Sequence, residues 1–321
     1  ARFTMLRRAI RATARRGVCT LAGHMEVSGI GLHTGARVRV VARPAAASEG
    51  IYFVRTDLGG EPRIAASIAS VTDTRLSTTL GDGDGASVRT VEHLLSALCG
   101  AGVRACRVEI DSPELPLLDG SAAPWVAAIL GAGVAPLAPG AGGAAPLAAR
   151  LKAPCWVHEG DAWVVALPAE APSFAYGIEF ASHPPIGTQW CSWAPPKVCD
   201  GGASFAEQVA PARTFGLHEQ LEGLREQGLI RGATAESALV CDRTRWLNGP
   251  LRFDNEPARH KLLDLLGDLW LLGALPCAHV VAWKASHALH VRMARLIAAA
   301  QAQGREAAHE MGREVDGQAG G

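Results

Sequence analysis

No C-x-x-C pair occurs among the eight cysteines, no apolar run is long enough to cross a bilayer, and aromatics make up only 5% of 321 residues. Each shortage removes a class of protein. Without paired cysteines, a small disulfide scaffold and a Cys-ligated zinc module are both excluded. The thiols at 19, 99, 106, 155, 191, 199, 241 and 277 then read as reduced side chains. Gly, Pro or a charge interrupts every apolar stretch before the roughly 18 residues that a span needs, so no stable membrane insertion is expected. Lys plus Arg and Asp plus Glu both number 31. That balance argues against nucleic acid as a partner but leaves room for a local basic pocket. No Gly-rich phosphate loop follows a strand, and H-E-x-x-H is missing.

A chain of this length accommodates two domains. Residues 1–19 carry Arg2, Arg7, Arg8, Arg11, Arg15 and Arg16, and no acidic residue precedes Glu26. This is the composition of an organellar transit segment and predicts a mitochondrial location; the alternative is a basic leader on a cytoplasmic bacterial protein. Segment 138–149 has small and turn residues without a core-forming period. It reads as a linker between a first domain at 20–137 and a second at 150–303, with a flexible polar tail at 304–321. Val38–Val41, Arg107–Ile110, Trp156–Ala166, Tyr176–Phe180 and His279–Trp283 read as strands, and Gly81–Gly85 as a turn. Helices fall between them without regular βαβ alternation, which predicts α+β rather than a doubly wound sheet. Glu92–Gly100 and His260–Asp268 align with Leu94/Leu262, Leu95/Leu263 and Leu98/Leu266 in register, each with a His in its first turn, as two similar halves would show.

Val91, Leu94, Leu95 and Leu98 form the apolar stripe of a helix that Thr90 would cap and Gly100 or Gly102 would end. Glu92 and His93 lie at its start, where the helix dipole favours a carboxylate and a neutral imidazole. Such a pair more commonly does no more than complement the dipole. In a second helix, capped by Asn255 with Pro257 in its first turn, His260, Asp264 and Asp268 form a stripe at i, i+4 and i+8 against eight apolar neighbours. His and Asp four apart can bind one ion. Two His and one carboxylate leave zinc an open position for water, with Glu92 in reach as general base and Asp268 as a supporting group. Farther on, Ser286 would cap a helix that places His287 in its first turn, and Lys261 and Lys284 could bind phosphate. Helix-start histidines and lysines with no such role are at least as common.

Six ordered segments together resemble one family, the zinc-dependent UDP-3-O-acyl-N-acetylglucosamine deacetylases of lipid A biosynthesis. They are SGIGLHTG (28–35), TVEHLLSAL (90–98), SPELPLLDGSAAPWV (112–126), ARTFG (212–216), LRFDNEPARHKLLDLLGDL (251–269) and KASHAL (284–289). The resemblance implies two similar α+β domains, each a small sheet with paired helices, and an active site between them. It implies zinc on His93, His260 and Asp264, Glu92 as general base, and His287 as general acid or oxyanion stabiliser with Asp268 as its charge partner. Thr214 would hydrogen-bond the tetrahedral intermediate and Lys261 would meet substrate phosphate. Phe215 and Gly216 would begin an apolar acyl passage running to about Val240. The partner implied is a UDP-acyl-sugar, and a monomer is expected. Iron(II) also suits such a donor set. Two features depart from the family: the basic leader, shared with plant and algal members, and Cys191–Gly202.

Overall fold

The computed structural model describes residues 19–137, 150–195, 205–300 and 302. Residues 1–18 of the expected leader, the linker 138–149, the tail 304–321 and residues 196–202 lie outside the described residues. Cys19, expected as the leader's last residue, instead begins a strand.

Val103–Ile110 is the hub of a seven-stranded sheet. Cys19–Leu21 and Ile51–Arg55 pair with it in parallel, and Arg37–Pro44 antiparallel. Met25–Ile30, Arg63–Ala65 and Val134–Pro136 complete the sheet. Cys106, Val108 and Ile110 are fully buried, while Arg107 and Glu109 between them reach solvent. This is the two-residue period of a half-buried strand. A second sheet has five strands in the order Cys155–Glu159, Ala162–Pro168, Ala278–Trp283, Ser173–Phe180, Gly187–Trp193. Only its pair Ser173–Phe180 and Ala278–Trp283 is parallel. The run expected as one strand at Trp156–Ala166 is therefore a hairpin. Gly160, at φ +57°, makes the turn that a side-chain-bearing residue resists.

Among the described residues, six α-helices pack between and around the sheets: α1 (Glu92–Ala101), α2 (Ala123–Ala132), α3 (Phe205–Gln208), α4 (His218–Glu226), α5 (Glu256–Trp270) and α6 (287–300). Helix α1 contacts Val103–Ile110 of the first sheet, α5 contacts two strands of the second, and the two helices pack on each other. Leu94, Leu95, Leu98, Leu262, Leu263 and Leu266 are all within 1% of full burial. Each such side chain stabilises the fold by about 1.5–3 kcal/mol. One hydrophobic cluster draws on both sheets and both helices. Close approach of α5 to the start of α1 depends on Gly267, where a Cβ would stand 2.1 Å from the Glu92 carbonyl oxygen.

The helix ends differ in part from expectation. Gly102 closes α1 in the left-handed conformation at φ +73°, whereas Gly100 lies inside the helix against Phe205. Thr90 does not cap α1. It adopts φ +60° and donates its hydroxyl across the fold to Glu114 at 3.1 Å. A buried carboxylate is a stronger acceptor than a helix end is a donor to a hydroxyl. Asn255 precedes α5 but makes no capping bond; its amide donates to the Trp190 carbonyl and its oxygen accepts from Arg259. Ser286 does cap α6, accepting from the Leu289 N–H at 3.4 Å.

Candidate active site

The contact between α1 and α5 brings His93, His260 and Asp264 together, each at most 4% exposed. Asp264 Oδ1 lies 3.4 Å from His260 Nε2 and 3.8 Å from His93 Nε2. One ligand atom from each of the three falls within 4.8 Å of the others, a spacing that can hold one metal ion. His260 Nδ1 donates to the Ala212 carbonyl at 3.1 Å, which leaves the Nε2 lone pair facing Asp264. Asp264 Oδ1 is buried with no hydrogen-bond partner. A buried carboxylate oxygen left unpaired is costly unless a cation completes it. The donor set therefore fits a dication.

Charge state follows from burial. Desolvation holds His93 down at about 3, with His260 adding to the effect, and desolvation also lowers His260. Both rings are neutral and can act as ligands. His260 is the fifth residue of α5, so it lies beyond the first turn in which it was expected. Its neutrality comes from burial rather than from the helix dipole. For Asp264, burial works upward, but Lys261, His260, His287 and His93 outweigh it and hold the carboxyl far below the usual range.

Glu92 and His287 line the same cavity as this trio. Desolvation raises Glu92 to about 7, opposed by His287 and reinforced by Asp268 and Asp264. Its Oε2 accepts from the Thr78 N–H at 3.0 Å. His287 is also raised, but by charge against its burial. Burial would lower it, yet Asp268, then Asp264 and Glu92, raise it to about 9. Asp268 is fully buried and held at about 2 because His287 and His290 overcome its desolvation. His287 Nδ1 donates to Asp268 Oδ2 at 2.8 Å, and Thr78 donates its hydroxyl to Asp268 Oδ1 at 2.6 Å. A carboxylate near 7 beside an imidazole near 9 is an acid–base pair set apart by environment.

Motifs distant in sequence are tied together by ionic contacts. Glu114 accepts from the His33 N–H at 2.9 Å and from the Thr34 N–H and hydroxyl at 2.8 Å each, besides Thr90. Glu256, in the first turn of α5, accepts from the Arg213 backbone at 3.0 Å and from its guanidinium at 2.8 Å. This pair anchors Thr214, Phe215 and Gly216 to the ligand-bearing helix. A cavity of about 260 Å³ is lined by Glu92, His93, His260, Lys261, Asp264, His287 and Thr214. A second, of about 400 Å³, is walled by Phe215, Gly216, Leu221, Leu224, Leu239 and Val240 among others. Leu32, Leu76, Thr214 and Phe215 line both, so polar chamber and apolar passage adjoin.

All ten expected site residues thus surround two adjoining spaces or, as for Asp268, support them. Lys261 donates to Asp264 Oδ2 at 2.8 Å; burial works to lower its pKa, but Asp264 raises it overall. Lys284 lines neither cavity and pairs with Asp161 and Glu179. Sequence reasoning passed over Thr78, Tyr176 and His290. For His290 a signal existed, since SHALH places it three residues after His287 on one helical face. Thr78 and Tyr176 carry no local mark.

The fold and donor set define a class: an α+β protein with a buried site suited to one metal ion and an acid–base pair beside it. The chain belongs to the UDP-3-O-acyl N-acetylglycosamine deacetylase (LpxC) family, whose model matches residues 19–299. Similar proteins include the UDP-3-O-acyl-N-acetylglucosamine deacetylases of Trichormus variabilis, 50% identical over 87% of this chain and 98% of that one, and of Thermosynechococcus vestitus, 50% identical over 89% and 95%. A probable mitochondrial UDP-3-O-acyl-N-acetylglucosamine deacetylase 1 of Arabidopsis thaliana is 43% identical over 86% of each chain. Among the described residues, no helix is long and apolar enough to cross a membrane.

Proposed function

We propose that this chain hydrolyses the N-acetyl group of UDP-3-O-(3-hydroxyacyl)-N-acetylglucosamine, releasing acetate and leaving a free amine, the committed step of lipid A biosynthesis. The observation that carries the reading is the unpaired Asp264 Oδ1 facing two neutral histidines, with Glu92 and His287 lining the same cavity. His93, His260 and Asp264 would hold zinc, with iron(II) the alternative for this donor set. When bound, the metal supplies Lewis acidity, acidifying water and polarising the amide carbonyl. Glu92 takes the proton of the attacking water, a role suited to a carboxyl near 7. His287, kept protonated by Asp268, donates to the developing oxyanion or to the leaving nitrogen. The Thr214 hydroxyl donates to the same oxyanion. Lys261 contributes positive charge for substrate phosphate at the chamber wall. Phe215 and Gly216 open the apolar passage that takes the acyl chain.

The test is acetate release from that substrate by wild type and by Glu92→Ala, with metal content measured in both. The variant is expected to keep stoichiometric metal and to lose about 10²–10⁴-fold in turnover. Wild-type turnover by the variant would remove Glu92 from the mechanism. A zinc-loaded wild type inactive on this substrate would remove the substrate assignment. Metal analysis after purification without added salts distinguishes zinc from iron. We further assign a mitochondrial location, supported by the Arg-rich residues 1–18 and the names of the plant relatives, and a monomeric state. Imaging of a fluorescent fusion and light scattering after gel filtration check these two.

A further inference from the structure

Asp268 Oδ2 accepts not one imidazole but two. His287 Nδ1 and His290 Nδ1 both stand 2.8 Å from it, while Thr78 occupies Oδ1. His290 and Asp268 are fully buried. His290 Nδ1 carries a proton, because the Asp268 carboxylate that it faces only accepts. His290 Nε2 lies 2.9 Å from the Tyr176 hydroxyl. That hydroxyl donates its one proton to the Ala285 carbonyl at 2.6 Å, two residues before His287, which leaves its oxygen to accept from Nε2. The contacts close a ring: Asp268 to His287, through the start of α6 to His290 and Ala285, and back through Tyr176. Both ends of the segment that aims His287 are thus held, one through its carboxylate partner and one through its backbone.

We propose that His290, oriented by Tyr176, is a positioning residue for the reaction. By filling the second lone pair of Asp268 Oδ2, it fixes the oxygen that sets the ring orientation of His287. It touches neither substrate nor metal. The inference rests on the reading of His287 as a catalytic group. Groups that orient a metal-bound histidine from behind commonly cost about 10–100-fold in affinity or activity when removed, and His290 stands behind His287 in the same way. The segment whose resemblance identified His287 ends at Leu289 and does not reach His290.

The zinc-loaded full chain is assayed for deacetylation as wild type, His290→Leu, His290→Asn and Tyr176→Phe, with metal content and melting temperature measured for each. Leu removes the donor, whereas Asn restores an N–H near the position of Nδ1. His290→Leu is expected to lower kcat about 10–100-fold with KM and zinc content unchanged. His290→Asn is expected to recover to within about 3-fold of wild type, and Tyr176→Phe to fall between. A double-mutant cycle adds the readout that a purely structural role would not give. On a His287→Ala background, His290→Leu is expected to cost less than about 2-fold further. An undiminished kcat in His290→Leu overturns the proposal, as does a loss that Asn does not recover or that persists in full on the His287→Ala background. Should His290→Leu fail to fold, Tyr176→Phe and the Asn variant still decide the matter. If His287→Ala itself turns over at the wild-type rate, the assignment of His287 falls, a different outcome from a silent His290.

Discussion

At Asp264 one carboxylate faces two demands. Oδ1 is unpaired and directed at the histidines, while Oδ2 takes the Lys261 ammonium at 2.8 Å. Asp264→Ala should therefore abolish metal binding and leave Lys261 without its partner. Breaking such a pair costs about 2–3 kcal/mol, below the value for full burial because Lys261 keeps 24% of its side chain exposed. Adding Lys261→Met should restore much of the stability and none of the metal, as denaturant titration and metal analysis would show. If the double variant is no more stable than Asp264→Ala, the pair is not the source of the loss. The acid–base groups make a second prediction. Turnover needs Glu92 ionised, so kcat/KM should rise as pH rises through its pKa. It needs His287 protonated, so kcat/KM should fall as pH rises through that group's value. Without metal these values are about 7 and about 9. A bound dication stabilises the carboxylate and disfavours the imidazolium, so both limbs should move to lower pH. A pH profile with no acid limb would rule Glu92 out as the base.

Between elements, the decisive contact is α5 against the start of α1. In an isolated helix, Gly267→Ala would gain up to about 1 kcal/mol of propensity. Here the new Cβ would meet the Glu92 carbonyl oxygen at 2.1 Å, a backbone atom that cannot swing aside. Overpacking of this kind costs about 1–3 kcal/mol or more and exceeds the gain. Because the displaced residue is Glu92 itself, kcat should fall along with stability; an unchanged melting temperature and full activity would show that the helices part freely. Both helices were legible in the sequence, the first from an apolar stripe at i, i+3, i+4 and i+7 and the second from a polar stripe at i, i+4 and i+8 among apolar neighbours, because helical period is a local signal. The hairpin at Gly160 and the Thr90 hydroxyl were not. A run of apolar residues does not announce its turn, and Thr90 is drawn away by Glu114, a partner that no local pattern contains.

For the molecule as a whole, the metal would sit where two sheets and two helices share one core, so binding and folding should be linked. An ion that binds only the native state stabilises by about 2.7 kcal/mol at a hundredfold excess over its dissociation constant. Removal with a chelator should lower the melting temperature, and added zinc should restore it; no shift would mean that no ion occupies the trio. Among the described residues no cysteine forms a disulfide, so reducing agent should leave that temperature unchanged. Sequence alone determined which side chains could serve: His93 behind Glu92 on one helix, His260, Asp264 and Asp268 on another, and His287 after a Ser cap. Residue type and helical period are properties of a few neighbours along the chain. Tertiary structure alone decided what those groups are. Neutral histidines, a carboxyl near 7, an imidazole near 9 and the two hydrogen bonds on Asp268 Oδ2 arise from burial and from partners in distant segments. Desolvation and short-range charge act through space, and only the closing of α1 on α5 brings those atoms into range.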